Sequence, residues 1–479
     1  MTDQLNPTAV KRRTILAGMA AAAAAGALPW RAMAQDAATV QWWDHYQPIA
    51  PLFEAEWKAD GANHAVSVKH QVMNPSDMMQ SLQLAFRSQQ MPDVFSIPAP
   101  VAVVDQVASA GWFAAPEGGF TLDKPFQKDA LFEGLTNFGG KVYSFPLFSY
   151  RWHSTSLWYD KNKVEKAGID PEKGPRGWDE IRKVAKSATS GGSYGLLLPL
   201  QFTDRMQTHL NELSQMAGAP GPIDWKTGKY DYASEHYVET LKMLLSFQKD
   251  GTLHPASSSL DARQGRIRWA AGEAAMFFDG PWNSGVLAAG MKDKLANIWV
   301  VPNPVANGEA TGHAHSSPQP GTFWISAQSK VQKQAAELLD LFTTDEFYVK
   351  LAERMDQPPL DLDAVAKANV DPTYKAVIAG YKDNVRLAPE PLIRNADIGK
   401  VYAEMRTIDP ALGGIIQGAF SGAFDDPAPV LQQYSDQMSA ERDRAIGVVN
   451  GKGGKVSVDD WVFANWSPDK DFTPDMFGH

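Results

Sequence analysis

Three stretches of the chain interleave large aromatics with planar hydrogen-bonding side chains, each close behind a predicted strand. They are Trp42-Trp43-Asp44-His45-Tyr46-Gln47, Tyr150-Arg151-Trp152-His153 and Asp279-Gly280-Pro281-Trp282-Asn283. Aromatic faces pack on apolar C–H surfaces, while carboxylates, amides and guanidinium groups bond a rim of hydroxyls. That mixture suits a non-covalent grip on a polyhydroxylated solute. Each residue also has a plain structural alternative: a core tryptophan, a helix cap from Asp44, or an ion pair for Arg151. Alternation along the first strand sends one of Trp42 and Trp43 into the core.

Other chemistries are excluded or unsupported. The chain has no cysteine, which removes thiol catalysis, iron–sulfur clusters and covalent haem attachment. No pair of carboxylates stands out as catalytic, and Gly451-Lys452 lacks the phosphate-loop spacing. His313-Ala314-His315 has no ligand cluster beside it in sequence, so neither metal nor cofactor is expected. The formal net charge of −10 argues against binding nucleic acid or an anionic membrane.

The elements that must position these residues form an α/β pattern. Residues 1–34 read as a signal peptide: Arg12-Arg13 gives a twin-arginine start, an alanine-rich run follows, and Ala32-Met33-Ala34 is a cleavage site after Ala34. Strands are predicted at 39–43, 94–97, 157–160, 276–278 and 321–326, alternating with helices. Asn74-Pro75 opens one helix, with Met78, Met79, Leu82, Ala85 and Phe86 at core spacing. Further helices are predicted at 335–342 and 430–446, with an irregular tail after residue 451. At this length two domains are expected.

Several segments occur together in a familiar order. They are Met91-Pro92-Asp93-Val94, Gly140-Lys141-Val142-Tyr143-Ser144-Phe145-Pro146, Leu157-Trp158-Tyr159-Asp160-Lys161 and Lys166-Ala167-Gly168-Ile169 before Trp178-Asp179-Glu180. Gly272-Glu273-Ala274-Ala275-Met276, Asp279-Gly280-Pro281-Trp282 and Ser329-Lys330 follow. The set covers roughly residues 36–446 and resembles the extracellular solute-binding proteins of ABC importers, family 1, which includes the maltose-binding protein.

The resemblance implies a two-lobed periplasmic-binding-protein fold, type II-like, with discontinuous lobes and a hinge. Lobe 1 would take 35–147 with 303–356, and lobe 2 would take 148–302 with 357–479. Crossings are expected near 146–150, 299–304 and 357–360. A monomer in the periplasm would bind a small-molecule ligand, a sugar or sugar derivative, and deliver it to ABC permease transmembrane subunits. The implied ligand contacts are Trp282, Asn283, Asp44, His45, Tyr46, Arg151, Trp152, Gln319, Gly321 and Arg394. Gln201 and Asp204-Arg205 could line the second lobe, but a surface ion pair is the favoured reading there. Pro98-Ala99-Pro100 replaces the family's usual acidic contact, so a maltose-like bonding pattern is not implied. Arg151 and Arg394 would favour an anionic ligand. The competing function is an exported glycoside hydrolase, whose paired carboxylates would release products.

Overall fold

Strand Ala38–Asp44 shows how the sequence builds the first of two sheets. Its side chains alternate, so Val40, Trp42 and Asp44 are fully buried on one face while Trp43 lies half-buried on the other. Trp42 sits among Phe53, Phe323 and Phe342, with ring centroids 5.0–5.7 Å away. This is a computed structural model, and it describes residues 38–60, 66–98, 104, 107–306, 308 and 312–477. The expected leader and its cleavage site lie outside the described residues.

The first sheet has the order Val66–Val72, Ala38–Asp44, Val94–Phe95, Phe323–Ser326, Phe113–Ala114. Its first three strands are parallel, whereas Phe323–Ser326 runs antiparallel to its neighbours, including Ser144–Phe145. The second sheet has the order Ile298–Val301, Ser156–Asp160, Ala274–Asp279, Tyr194–Leu197. Ala274–Asp279 is central and buried at every position, which is why it reads as an unbroken apolar run. Each sheet has its own core, giving two lobes.

The chain passes between the sheets after Phe145, after Val301 and after helix Asp345–Ala352. The first and last passages lie side by side: Ser149 N donates to Pro358 O (3.0 Å), and Leu360 N donates to Leu147 O (2.9 Å). Leu147 N also donates to Thr322 Oγ1 (3.1 Å), so all three passages are tied at one place.

Helix Pro75–Arg87 forms as its spacing predicts, with Met78, Leu82 and Ala85 buried, but Asn74 makes no side-chain capping bond. Strand Tyr194–Leu197 and the hairpin Ile223–Asp224 with Lys229–Tyr230 were not anticipated. Helix Pro427–Gly451 is longer than its apolar spacing suggests. The tail beyond it is irregular, as expected, yet it is core: Trp461, Phe463, Trp466 and Phe472 pack with Trp225, Ile398 and Val449.

Candidate binding cleft

The wall contributed by the second sheet is organised by one carboxylate. Asp279 ends strand Ala274–Asp279 and is 1% exposed. Its Oδ1 accepts from Gly280 N (2.9 Å) and Trp282 Nε1 (2.8 Å), and its Oδ2 accepts from Arg266 Nε (2.6 Å). The Gly280-Pro281 turn folds the Trp282 indole back over Gly280, where a Cβ would lie 2.4 Å from the ring. Only glycine permits that approach. Trp152 meets Trp282 edge-on, with centroids 5.9 Å apart.

Helix Thr203–Met216 supplies the neighbouring surface. Arg205, His209 and Glu212 fall at helical spacing on one face. The Arg205 guanidinium lies over the Trp282 ring, 4.9 Å from its centroid. His209 Nδ1 pairs with Thr155 Oγ1 (2.8 Å), and Glu212 accepts from Ser154 N (3.1 Å). Burial acts on all three: it lowers Arg205 and His209 and raises Glu212.

The first sheet presents Asp44, His45 and Tyr46 at the end of its first strand. Both Asp44 oxygens are engaged, by His70 Nε2 (2.7 Å) and by Tyr46 N (2.9 Å). His45 Nδ1 pairs with Ser96 Oγ (2.8 Å), and its ring packs on Tyr46 with centroids 4.1 Å apart. Burial pushes His45 down to about 4, Asp44 opposing and Arg263 assisting. Burial raises Tyr46, with Asp44 and Asp356 adding to the effect. Asp356, in the last passage between sheets, is raised to about 6 by burial against the pull of Arg266. Arg263 and Arg266 belong to helix Ala262–Arg268 of the second lobe, so the two strand-end surfaces act on each other electrostatically.

The structure therefore sets Trp282 beside Trp152 on the second-lobe wall and Asp44, His45 and Tyr46 at a strand end of the first lobe, the two sets linked through the charges of Arg263, Arg266 and Asp356. Asn283 lies fully buried beside Trp282, and among the described residues neither polar atom of its amide has a hydrogen-bond partner. Other expected contacts fall elsewhere. Arg151 forms a two-pronged ion pair with Asp471 of the tail (2.6 and 3.0 Å), which uses the charge that was expected to meet a ligand. Arg394 lies over Phe463 at 3.7 Å and donates to Val462 O (2.6 Å), so it too is a tail contact. Gln319 is exposed. Gly321 is needed for close approach to Ser144, where a Cβ would lie 2.5 Å away, so its neighbour is protein backbone and side chain. His315 has its ring nitrogens at Pro220 O and Pro468 O, both 3.1 Å. A cavity of about 350 Å³ lies off the cleft among Leu200, Gln248, His254, Gln417 and Phe420, where both glutamine amides already bond backbone carbonyls.

Sequence reasoning missed Asp279, Arg266 and Asp356 as organisers of the wall, and it treated Arg205 as a surface group. The Arg-x3-His-x2-Glu spacing was the available signal. Polar groups at those offsets adjoin Met206, Leu210 and Leu213, which are buried.

Comparison with known proteins gives a consistent pattern. A family model described as bacterial extracellular solute-binding protein matches residues 20–349. The sn-glycerol-3-phosphate-binding periplasmic protein of Brucella melitensis is 25% identical over 304 residues, 61% of this chain and 66% of that protein. The chain thus spans just under two thirds of that relative's length. The corresponding protein of Rhizobium meliloti is 22% identical over 305 residues, 61% of this chain and 67% of that protein. Among solved structures, the GacH receptor of Streptomyces glaucescens, studied with acarbose, superposes with a TM-score of 0.64 at 19% identity, covering 85% of this chain and 99% of that one. An ABC transporter solute-binding protein of Thermotoga lettingae bound with α-D-tagatose gives 0.63 at 17% identity, covering 85% and 100%. At these identities the structures speak for the fold.

Proposed function

The chain belongs to the bacterial extracellular solute-binding protein family, and from that membership we propose that it captures a carbohydrate or carbohydrate derivative between its lobes for an ABC importer. The relatives named for sn-glycerol 3-phosphate are periplasmic proteins, and the solved neighbours hold sugars or oligosaccharides. The relatives support a place in the periplasm; export through the twin-arginine leader, a monomeric state and delivery to permease transmembrane subunits are further parts of the proposal. The lobes are taken as 35–147 with 303–356, and 148–302 with 357–479, although strand Ala314–Ser316 pairs with Val385–Leu387 and so lies with the second lobe.

The observation that carries the proposal is the facing of two strand-end surfaces, Asp44-His45-Tyr46 on one lobe and the Asp279–Trp282–Arg205 assembly on the other. A solute touching both stabilises the closed arrangement only by its differential contacts there. The three passages tied near Leu147, Thr322 and Leu360 are the hinge in this reading.

Hydrolysis finds little support in the same geometry. Asp279 is engaged by three donors on its two oxygens, and Glu212 accepts from Ser154. Gly191-Gly192-Ser193-Tyr194-Gly195 has the spacing of a hydrolase nucleophile turn, but it feeds a strand, not a helix, and Ser193 Oγ is bonded by Lys163 Nζ (2.8 Å). The test is to incubate purified protein with oligosaccharides and sugar derivatives while following tryptophan fluorescence and product release. Saturable quenching with intact ligand is expected, and released products would overturn the proposal.

A further inference from the structure

Trp282 stands where the resemblance places an aromatic platform for a sugar ring, yet its ring is occupied. Its six-membered ring lies against Gly280, Trp152 approaches edge-on, and Arg205 covers it at 4.9 Å. Phe202 flanks the same guanidinium at 5.9 Å. A neutral sugar that stacked on Trp282 would have to displace this cation.

Arg205 itself is incompletely matched. Among the described residues no hydrogen bond or ion pair holds its guanidinium. The nearby carboxylates are committed elsewhere, Asp279 to Arg266 and Glu212 to Ser154. Those charges, with Arg266, are the ones that act on Arg205. A guanidinium stacked on an aromatic keeps its N–H edge in plane and free, the geometry that bonds phosphate or carboxylate in a two-pronged manner. Arg263 is a second cation without a bonded carboxylate among the described residues. It is exposed on helix Ala262–Arg268 and acts on His45 of the opposite lobe.

We propose that Trp282 serves as a clamp for Arg205, and that Arg205 and Arg263 form an anion subsite for a phosphate or carboxylate on a small polyhydroxylated ligand. This inference rests on the capture function proposed above and narrows its ligand class. A partly desolvated cation whose neighbouring carboxylates are bonded elsewhere is costly, so an incoming anion gains from a site already organised for it. Arg263 would extend the hold toward the first lobe and couple anion binding to closure.

Thermal shift and isothermal titration of the purified protein test the assignment with inorganic phosphate, sn-glycerol 3-phosphate and glucuronate against glycerol, glucose and maltose. The phosphate and carboxylate arms separate the two sources of charge. At least one anionic probe should bind saturably, with neutral probes at least about tenfold weaker, the factor of one charged hydrogen bond. Arg205→Gln should weaken the anion by about 10- to 100-fold. Arg263→Gln, on an exposed side chain, should weaken it by about 2- to 5-fold and flatten the salt dependence, with an unchanged Tm. Neutral sugars binding as tightly as the anions, or an unchanged affinity in Arg205→Gln, would overturn the subsite while leaving sugar capture standing. Failure of every probe would overturn both.

Discussion

Replacing Asp279 by Asn tests whether one buried carboxylate organises the second-lobe wall. Asp279 is 1% exposed and Arg266 is 7% exposed, so their 2.6 Å contact is almost free of solvent. The asparagine Oδ1 can still accept from Gly280 N and Trp282 Nε1, so those two bonds survive. The loss is concentrated on Arg266, which becomes a buried cation attracted only at longer range by Asp356. Breaking one side of a buried pair costs about 3–5 kcal/mol, and the retained neutral bonds place this case near 3 kcal/mol. For a folded unit of this size that corresponds to a drop in Tm of about 3 °C, since unfolding entropy grows by about 2 cal/mol/K per residue. The companion variant is Arg266→Met in the same background. Removing the stranded cation leaves a neutral asparagine that still accepts from Gly280 N and Trp282 Nε1, so the double variant should return to within about 1 kcal/mol of the parent. Chemical denaturation of the parent, both single variants and the double variant gives the coupling energy, expected to exceed about 2 kcal/mol by the cost of Arg266→Met alone. A single-variant loss below about 1 kcal/mol, or a double variant no better than the sum of the singles, would refute the central role of Asp279.

Gly280→Ala should force the Trp282 indole off its turn, because the new Cβ would lie 2.4 Å from the ring. A loss of about 1–3 kcal/mol and a changed near-ultraviolet circular dichroism spectrum are expected, and an unaltered spectrum refutes the fold-back. His153 and Asp356 should give opposing acid responses. Burial lowers His153 to about 4, so its contribution is present above the unfolded value near 6.5 and is lost as pH falls toward 4. Burial raises Asp356 to about 6, so its contribution is present below about 4 and is lost as pH rises through 6. Asp356→Asn should therefore lose about 2–3 kcal/mol more than the parent between about pH 7 and 4, and parallel melting curves would count against it. Arg394→Ala should cost about 2 kcal/mol of stability through its Phe463 and Val462 contacts while leaving probe affinity within about twofold, and a large loss of affinity would return Arg394 to the cleft. Ending the chain after Gly451 removes the buried Trp461, Phe463, Trp466 and Phe472, and loss of soluble folded protein is expected in a sedimentation assay.

Where a residue's environment follows from local period, the sequence predicts the structure well. Trp42 enters the core and Trp43 does not because a strand alternates, and Met78, Leu82 and Ala85 are buried because a helix turns every 3.6 residues. The ordered family landmarks likewise locate both sheets. Strand Tyr194–Leu197 escapes because a short apolar run behind glycines has no distinguishing period. Arg151 escapes for a different reason: its partner Asp471 is 320 residues away, and nothing in either side chain marks the pairing. Arginine near a crossing and arginine in an ion pair look alike until the tail is folded against the hinge.

Trp282 marks the boundary between these cases. Its position at a strand end is legible from Asp279-Gly280-Pro281-Trp282, but whether a face of the ring is open depends on a helix that begins far upstream. Arg205 reaches the indole because Thr203–Met216 packs with Met206, Leu210 and Leu213 buried, which turns Arg205, His209 and Glu212 toward the same edge. Sequence type therefore proposes an aromatic platform, and packing converts it into a support for a cation. If Trp282→Phe kept anion affinity within about threefold, as a smaller ring still able to stack predicts, while Trp282→Ala lowered it tenfold or more, the ring would be acting through Arg205. Equal losses in both variants, with neutral sugars affected as much as anions, would return the ring to direct contact with the ligand.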